Sequence, residues 1–462
     1  MDIKTLLSDI TSTTHSFEVS GLSLNTQSLQ KGDIFIALQG EKTHGREYIQ
    51  NAIDKGCVGV LIEGFDIQCS VPSIRIDDLS SHLANLAKSF YQQANNVKLI
   101  GVTGTNGKTS VSLFISQLLE LSNVKTGVIG TLGISYLDIN TRNTTPDIFT
   151  IYKTLEHFAK INIEIAVIEV SSHALIQNRI AGLTLEQAIF TNLTQDHLDY
   201  HKDMKQYRAA KGKLFSDYST QSVIVNRDDE NHPYFIEIAS SKKTSTYGLD
   251  DFTSITASAN GFICNLNNCV FELPLLGRFN LSNTLAAFAS LKSLGLSDDS
   301  IIPELIKLKP PAGRMEKLKS NDIWIDYAHT PDALSNALET IKSHCPKSKL
   351  RVIFGCGGDR DQGKRAKMGK IASELADSII LTNDNPRSES PKSITNDILD
   401  GINSEIDIQI IHDRGTAIKT AVTTLRKDEC LLIAGKGHET TQTIGDKVLI
   451  FNDKKAVLDA LI

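Results

Sequence analysis

Short apolar runs rich in β-branched residues alternate along the chain with segments whose apolar residues recur at helical spacing. The first pattern predicts buried strands and the second predicts amphipathic helices. Strands that alternate with helices are typical of βαβ units, in which parallel strands share one sheet. The sequence therefore predicts an α/β fold built on parallel sheets.

The pattern also predicts where the elements and the domain boundaries lie. A helix is predicted at 79–91, and strands are predicted at 33–38, 58–62, 73–76, 97–102, 163–170, 188–193, 323–326, 350–354, 378–381 and 430–434. A polar link at 92–96 and the paired prolines Pro310 and Pro311 interrupt the pattern. Paired prolines stop a helix and stiffen a connection. We place one domain boundary at these prolines and another at the polar link. Three domains are predicted, at 1–92, 93–311 and 312–462.

Composition narrows the class of protein. The net charge of −6 offers no basic excess for a nucleic-acid partner. The seven cysteines are scattered without a CxxC pair, so a zinc site is not indicated and reduced thiols are expected. No signal peptide and no apolar run long enough to span a membrane is found. We expect a cytoplasmic protein without membrane insertion.

A glycine-rich segment, GVTGTNGKTS at 101–110, stands between a predicted strand and an amphipathic helix. Backbone N–H groups of such a turn and the helix N-terminus attract phosphate. Lys108 would reach the β and γ phosphates, and Thr109 would hold Mg²⁺. Val102 occupies the place of the first glycine of the usual motif, so this is a variant loop. The combination of strand, turn, Gly-Lys-Thr and helix favours ATP binding over a plain glycine-rich turn.

Polar clusters follow several predicted strands, at the edge where open α/β sheets bind ligands. Glu169 near the end of the run 163–170 is either a magnesium-linked acid or an edge-strand residue that faces solvent. The segment 194–201 after the next strand is either a polar turn or a metal site. After the strand 323–326, helix capping explains Thr330, Pro331 and Asp332 but leaves Asp326 and His329 unexplained.

Three further clusters carry charge of both signs. The cation-rich turn 355–365 suits a carboxylate, although a solvated basic loop would look the same. The segments 382–389 and 435–439 follow the last two predicted strands. Both signs of charge at one sheet edge predict a zwitterionic substrate such as an amino acid.

These motifs, in this order, resemble those of the Mur ligases. The resemblance runs from about residue 22 to the C-terminus and rests on TGTNGKT (103–109), EVSSHAL (169–175), NLTQDHLDYH (192–201), GRFNLSN (277–283), GRME (313–316), DYAHTPDAL (326–334), FGCGGDRD (354–361), DNPRSE (384–389) and GKGHE (435–439). It implies an N-terminal UDP-binding domain, a central ATP-binding domain and a C-terminal Rossmann-like domain for the incoming amino acid. It also implies an ATP-dependent amide ligase of peptidoglycan synthesis, most similar to the member that adds the third residue of the stem peptide.

The resemblance assigns roles at the nucleotide site. It implies that ATP phosphates are held by Gly104, Thr105, Asn106, Gly107, Lys108, Thr109 and Ser110, and the rest of the nucleotide by Asn283, Arg314, Asp326 and His329. It links Mg²⁺ to Thr109, Glu169, His197 and a carbamylated Lys211. Lys108, Glu169, His197 and Lys211 are the implied catalytic residues.

The resemblance also assigns the two other substrates. UDP-N-acetylmuramoyl-L-alanyl-D-glutamate is expected to contact Leu24, Thr26, Glu41, Lys42, Thr43, Asn143, Thr144, Thr145, Ser171, Gln177 and Arg179. Gln27 departs from the family pattern, which has a cation there. The amino acid is expected to contact Arg360, Asp384, Asn385, Pro386, Arg387, Gly435 and Glu439. Relatives that add meso-2,6-diaminopimelate carry Asp-Asn-Pro-Arg, as at 384–387 here, and relatives that add lysine usually lack that arginine, so the resemblance predicts meso-2,6-diaminopimelate. The physical reason is that Arg387 can hold a distal carboxylate bidentately and would repel the ammonium of lysine.

Other classes of protein fit less well. A folylpolyglutamate synthase shares the variant loop, but it begins close to that loop and lacks Asp-Asn-Pro-Arg. A switch NTPase would carry a guanine-specific Asn-Lys-x-Asp, and none is present. A catalytically inactive scaffold would have lost one of the four implied catalytic residues, which are all intact. We expect a monomer.

Overall fold

The computed structural model describes residues 1–40, 43–137, 143–218, 220–239, 242–258, 261–318, 322–402 and 405–461. Strands and helices alternate through these ranges, so the predicted α/β class is confirmed. In the described ranges, no helix combines the length and the apolar composition that crossing a bilayer requires.

The N-terminal part forms a four-stranded parallel sheet in the order β1-β2-β3-β4. Its elements are α1 (Ile3–Leu6), β1 (Gly21–Ser23), β2 (Asp33–Ala37), α2 (Ile49–Asp54), β3 (Gly59–Glu63), β4 (Ser73–Ile76) and α3 (Leu83–Phe90). The predicted helix at 79–91 begins as a 3-10 turn at Leu79–His82 and is α-helical from Leu83. Strand β1 was not predicted, because a three-residue strand is too short to show a period.

The central part contains a seven-stranded sheet in the order β11-β10-β9-β5-β8-β6-β7 and a three-stranded antiparallel sheet, β12-β13-β14. Its strands are β5 (Lys98–Thr103), β6 (Thr126–Gly130), β7 (Gly133–Ile134), β8 (Ile165–Glu169), β9 (Leu185–Phe190), β10 (Thr220–Asn226), β11 (Lys243–Tyr247), β12 (Phe252–Ala257), β13 (Phe262–Leu266) and β14 (Cys269–Leu273). Its helices are α4 (Lys108–Leu121), α5 (Ile148–Lys160), α6 (Ser172–Ile176), α7 (Leu198–His201), α8 (Met204–Ser216), α9 (His232–Ile238), α10 (Arg278–Ser293) and α11 (Asp298–Leu305).

The C-terminal part is a six-stranded sheet in the order β15-β16-β20-β17-β18-β19, parallel except for β15, with a separate hairpin. Its elements are β15 (Glu316–Lys317), β16 (Ile323–Asp326), α12 (Pro331–His344), β17 (Lys349–Phe354), α13 (Gly363–Leu375), β18 (Ser378–Leu381), α14 (Pro391–Leu399), β19 (Asp407–Ile410), α15 (Arg414–Thr423), β20 (Glu429–Ala434), the hairpin strands β21 (Thr441–Ile444) and β22 (Lys447–Ile450), and α16 (Asp453–Ala460). Apolar side chains of α12, α13 and α14 cover one sheet face, and those of α15 and α16 cover the other. The predicted doubly wound architecture is therefore confirmed.

By their internal contacts, the residues form two compact units. The first contains Met1–Gly101, Val124–Gln187 and Ser216–Gln221, and the second contains Val102–Asn123, Ala188–Phe215 and Ser222–Ile462. The phosphate loop from Val102 onward and the whole C-terminal part therefore belong to the same unit. The predicted domain boundaries near residues 92 and 311 stay predictions.

A buried ion pair joins two helices on one face of the C-terminal sheet. Arg414 on α15 donates from Nε and Nη2 to the two carboxylate oxygens of Asp453 on α16, both at 2.7 Å. Both side chains are fully buried, and Nη2 also donates to the Ala434 carbonyl at 3.0 Å. Removing one partner of such a pair leaves the other charge buried and uncompensated.

We expect Arg414→Ala to lower the free energy of unfolding by about 3–5 kcal/mol, because Asp453 would remain buried without its partner. Trp324, the chain's single tryptophan, lies in the core of this sheet, so its fluorescence during urea unfolding measures the effect. Lys370→Ala breaks an exposed pair with Glu374 and serves as the control, with an expected change below about 0.5 kcal/mol. Equal losses in the two variants would contradict the prediction.

Candidate active site

The phosphate loop lies between the end of β5 and the start of α4, as predicted. Gly104 and Gly107 have φ values of 152° and 85°, where residues with side chains are strained. A Cβ at Gly104 would lie 1.9 Å from Thr191 Oγ1, and one at Gly107 would lie 2.5 Å from Asn283 Oδ1. Glycine is therefore required at both positions by conformation and by space.

Two lysines converge on one carbonyl of this loop. Lys108 Nζ donates to the carbonyls of Gly104 and Thr105, both at 2.9 Å. Lys211 on α8 is buried, and its Nζ donates to the same Gly104 carbonyl at 2.7 Å. Burial, followed by the charge of Lys108, holds the pKa of Lys211 well below its usual value. The Lys211 amine is thus unusually ready to lose its proton.

Asp196 links the segment after β9 to the C-terminal part. Its Oδ1 lies 3.3 Å from Lys364 Nζ on α13, and its Oδ2 lies 3.4 Å from His197 Nε2 and 3.8 Å from His329 Nε2. Although burial opposes it, the surrounding cations, Lys364 first, hold the pKa of Asp196 below its usual range. Burial and then Lys364 lower the pKa of His329 to about 4, so this imidazole is neutral at pH 7.

A cavity of 440 Å³ opens beside the phosphate loop. Six of the predicted nucleotide residues line it, namely Asn106, Gly107, Ser110, Asn283, Arg314 and Asp326. His329 does not line this cavity. The sequence pattern missed further lining residues, among them Asn192, Asp228, Asp229, Arg278, Phe279, Asp332 and Asn336. The sequence could have indicated these lining residues, because they follow strands β9 and β10 or lie near the starts of helices α10 and α12.

Asp332 lies in the first turn of α12 and has a second role besides its place at the helix start. Thr330 is the residue that caps α12, because its hydroxyl accepts from the backbone N–H of Ala333. Asp332 Oδ2 accepts from Asn106 Nδ2 of the phosphate loop at 2.9 Å. Asp332 thus lies at the helix start, as the capping explanation expects, and it also contacts the phosphate loop.

Arg314 and Asp326 face the same cavity from the start of the C-terminal part. Burial raises the pKa of Asp326 to about 6, while Arg314 opposes that rise. The Arg314 guanidinium lies 4.4 Å from the centre of the Tyr327 ring, and its buried Nε finds no hydrogen-bond acceptor among the residues that the structure describes. A buried donor of this kind suits the oxygens of a nucleotide.

Arg387 lies in a second cluster, at the ends of β18 and β20. Its backbone is left-handed, with φ of 50°, and its Nη1 donates to the carbonyls of Gly358 at 2.7 Å and Asn385 at 3.4 Å. Within the described ranges, no carboxylate forms a salt bridge with it. Burial, and then the nearby Arg360, lower its pKa. The half-buried guanidinium therefore suits a carboxylate from outside the chain.

The remaining predicted amino-acid contacts surround this arginine. Asn385 Nδ2 donates to Glu439 Oε2 at 3.1 Å, and Lys436 Nζ lies 2.5 Å from the same oxygen. Asp384 is buried beside Gly435, where a Cβ would lie 2.6 Å from Asp384 Oδ2. Acidic side chains and the Arg387 guanidinium thus lie close together, which suits a ligand that carries charges of both signs.

The cation-rich turn 355–365 carries fewer free charges than its sequence indicates. Arg365 is fully buried and donates to Glu389 and Asp397, with all three N–O distances at 2.8 Å. Lys364 is paired with Asp196. Arg365 is therefore neutralised within the protein, and Arg360 is the exposed cation that the turn offers to a ligand.

Several predicted contacts for the UDP-linked substrate meet in the first unit. A cavity of 670 Å³ is lined by Leu24, Asn143, Gln177 and Arg179, and also by the divergent Gln27. A second cavity of 450 Å³ is lined by Leu24, Thr26 and Thr43. Glu41 and Lys42 lie outside the described residues.

Thr145 organises the neighbouring polar groups. Its hydroxyl donates to the Glu169 carbonyl at 2.8 Å and accepts from the Ser171 backbone N–H at 3.0 Å. Its carbonyl accepts from Arg179 Nη1 at 2.6 Å, and Arg179 also binds Gln177. The hydroxyls of Thr131 and Thr144 are 3.1 Å apart.

Glu169 ends β8, an inner strand of its sheet, and its side chain is buried. Its carboxylate accepts from Thr131 N–H at 2.9 Å and Thr131 Oγ1 at 3.0 Å, and the space it fills exists because Gly130 has no Cβ. The alternative of a solvent-facing edge residue is therefore wrong. Of the predicted magnesium-linked residues, Glu169 belongs to the first unit, whereas Thr109, His197 and Lys211 belong to the second.

The described part of the chain contains no close group of three His, Cys, Asp or Glu side chains that could hold a metal ion by itself. Taken one by one, the residues that the resemblance links to Mg²⁺ offer a carboxylate (Glu169), a hydroxyl (Thr109), an imidazole (His197) and an amine (Lys211). Oxygen donors of the first two kinds suit Mg²⁺, which keeps several water ligands and is bound through few protein groups together with substrate phosphates.

The fold and the site define a nucleotide-binding α/β protein with a variant phosphate loop. Three family models match it in succession, "Mur ligase family, catalytic domain" at 18–91, "Mur ligase middle domain" at 102–291 and "Mur ligase, glutamate ligase domain" at 313–437. The chain belongs to the Mur ligase family, and the predicted three-domain architecture is confirmed.

Relatives of known name span nearly the whole chain. The UDP-N-acetylmuramoyl-L-alanyl-D-glutamate--2,6-diaminopimelate ligase of Coxiella burnetii is 40% identical, with 96% of each chain covered. A solved structure of a ligase of the same name is 33% identical, with a TM-score of 0.66 over 100% of this chain and 99% of that one. MurF ligase from Thermotoga maritima, solved in complex with ADP, is 16% identical and shares the fold, with a TM-score of 0.66 over 95% of this chain and 96% of that one.

We expect Gly104→Ala to weaken ADP binding by about 10- to 100-fold, because the new Cβ would displace Thr191 and with it the loop. Isothermal titration with ADP measures the change. Gly415→Ala is the matched control, since a Cβ there meets only ordinary contacts at 3.5 Å and 3.6 Å. Unchanged ADP affinity in a folded Gly104→Ala variant would show that this close approach is dispensable.

Proposed function

We propose that this chain joins meso-2,6-diaminopimelate to the D-glutamate carboxyl group of UDP-N-acetylmuramoyl-L-alanyl-D-glutamate at the expense of ATP. The observation that carries the proposal is the half-buried Arg387, whose guanidinium faces neighbouring acidic groups without a salt-bridge partner in the described ranges. Diaminopimelate differs from lysine by a carboxylate at its far end. The names of the full-length relatives support the same reaction.

A carboxylate is a poor electrophile, so the reaction begins by making it a better one. A carboxylate oxygen of D-glutamate forms a bond to the γ phosphorus of ATP, and ADP leaves. The free amine then attacks the carbonyl carbon of this acyl phosphate, a tetrahedral intermediate forms, and inorganic phosphate leaves as the amide forms and the nitrogen releases its proton. Positioning and neutralisation of negative charge are what such a reaction asks of a protein.

The phosphate loop supplies much of that neutralisation. In the proposed complex, Lys108 leaves the carbonyls of Gly104 and Thr105 for the β and γ phosphates, and the N-terminus of α4 faces the same charge. Thr109, Glu169 and His197 are the residues that would hold Mg²⁺. The ion would neutralise phosphate oxygens when it is bound.

Lys211 fits the proposed carbamate. Carbon dioxide reacts with a neutral amine, and burial beside Lys108 favours the neutral form of Lys211. The neutral amine loses one proton as the N–C bond to carbon dioxide forms, so that Lys211 becomes an anion; counted from its ammonium form, two protons are released. The carbamate would also relieve the repulsion between Lys211 and Lys108. A cytoplasmic location and a monomeric state stay predictions.

The substrate preference can be tested directly. Purified protein given ATP and the UDP-linked dipeptide should release phosphate and form product with meso-diaminopimelate, and not with L-lysine. Lysine lacks the distal carboxylate and would place its ammonium opposite Arg387. Product with lysine and not with diaminopimelate, measured by mass spectrometry, would contradict the proposal.

Arg387→Ala should raise the KM for diaminopimelate by about 10- to 100-fold, because hydrogen bonds to a charged carboxylate are lost. The KM for ATP should stay unchanged, because Arg387 does not line the nucleotide cavity. Arg426→Ala, which removes an exposed cation between α15 and β20, is the control. Unchanged amino-acid kinetics in Arg387→Ala would exclude the assigned role.

The carbamate has its own measurement. Protein equilibrated with ¹³C-bicarbonate should show a carbamate carbon resonance that disappears in Lys211→Arg, because arginine stays protonated. Lys213→Ala should keep the resonance, since Lys213 is the neighbouring lysine on α8 and is less buried. A resonance that persists in Lys211→Arg and disappears in Lys213→Ala would assign the carbamate to the other lysine.

A further inference from the structure

The hairpin β21–β22 has no fully buried apolar side chain to hold it in place. Across 441–450, Gln442 is the one residue whose side chain is buried, and every residue of β22 is exposed. Ile450 is 96% exposed. Because an isolated two-stranded hairpin is marginally stable in water, polar contacts must position this one.

Among the described residues, the polar contacts of the hairpin outside its own strands go to the loop that carries Arg387. Gln442 Nε2 donates to the carbonyls of Asp384 at 2.8 Å and Asn383 at 3.3 Å. The backbone N–H of Thr443 donates to Asn385 Oδ1 at 2.9 Å. The carboxamide nitrogen of Gln442 is thus shared between two consecutive carbonyls of the loop.

The hairpin also clamps the backbone of Arg387 itself. Arg387 N–H donates to the Thr443 carbonyl at 3.2 Å, and Gly445 N–H donates to the Arg387 carbonyl at 2.7 Å. Arg387 has φ of 50°, a left-handed conformation that costs a non-glycine residue energy. Both backbone hydrogen-bonding groups of the strained residue are therefore satisfied by one hairpin.

We propose that the hairpin 441–450 is a positioning strap for the amino-acid site and that Gln442 is its positioning residue. Gln442 touches no reacting group. It holds the segment 383–385, and through it the direction in which Arg387 presents its guanidinium to the distal carboxylate. This inference rests on the proposed function, and it assigns to Gln442 a share of the discrimination between diaminopimelate and lysine.

The chemistry of the side chain makes the role specific. The two acceptors are carbonyls, so the position requires a donor. Gln442→Met keeps the length and loses both hydrogen bonds, whereas Gln442→Glu puts a charged acceptor against two carbonyl oxygens. We expect Gln442→Met to raise the KM for diaminopimelate about tenfold with kcat and the KM for ATP nearly unchanged, and Gln442→Glu to raise it further. Thr441→Val, an exposed neighbour on the same strand, should behave as the unmodified protein does.

A double-mutant cycle separates positioning from general damage. If Gln442 acts through Arg387, Gln442→Met should change the KM for diaminopimelate about tenfold in the unmodified protein and less than about twofold in Arg387→Ala. Equal effects in both backgrounds, or an equal rise in the KM for ATP, would overturn the proposal. Should Gln442→Met fail to fold by Trp324 fluorescence, Gln442→Asn, which keeps the amide but shortens its reach, carries the same cycle.

Different results would contradict the positioning role of the hairpin and the proposed function. An unmodified protein that does not use diaminopimelate would contradict the function. An unmodified protein that uses diaminopimelate, with a Gln442→Met variant of the same KM and the same preference over lysine, would contradict only the strap.

Discussion

The nucleotide site depends on a close contact between the backbone of Gly104, which has no side chain, and the hydroxyl of Thr191. Gly104 leaves room for Thr191, whose Oγ1 donates to the Asn106 carbonyl at 2.6 Å. The loop then turns its Gly104 carbonyl toward both Lys108 and Lys211. Because each contact constrains the next, one methyl group at Gly104 would disturb the loop, the hydroxyl and both amines together. This tight turn also explains why the missing glycine at Val102 is tolerated, since Val102 still belongs to the buried strand β5 and not to the turn.

The charges around the loop follow from the same geometry. The ammonium groups of Lys108 and Lys211 repel each other at the Gly104 carbonyl. Burial also removes solvent from Lys211, so the pKa of Lys211 falls. Asp196 is the nearby buried acid, and it is already shared by Lys364, His197 and His329. The cluster therefore has little negative charge to spare for the lysines. Phosphate oxygens, and a carbamate on Lys211, would supply the charge that the protein itself does not provide at this point.

The sequence correctly predicted the elements that depend on the spacing of apolar residues and on the chemistry of neighbouring residues. Strands β4, β16 and β18 lie where the pattern placed them, and Thr330 caps α12 as expected. Strand β1 escaped prediction because three residues are too few to show a period, and the sheet β12–β14 escaped it because its strands have many exposed residues. The partners of Arg365 and Asp332 also escaped it, because each lies far away in sequence. Local reasoning could treat the turn 355–365 only as a whole and Asp332 only as part of a helix start, whereas tertiary contacts pair Arg365 with Glu389 and Asp397 and join Asp332 to Asn106.

The left-handed conformation of Arg387 bears on the choice of the amino-acid substrate. A position with φ of 50° is one where glycine or asparagine fits with less strain than arginine. An arginine held there by a hairpin with one buried side chain is hard to explain by stability, because a glycine would remove the strain and the burial of charge together. The strain is instead explained if the guanidinium must stand at this point and in this direction. Recognition of a distal carboxylate is such a requirement, since two parallel hydrogen bonds tolerate little error in the orientation of the plane.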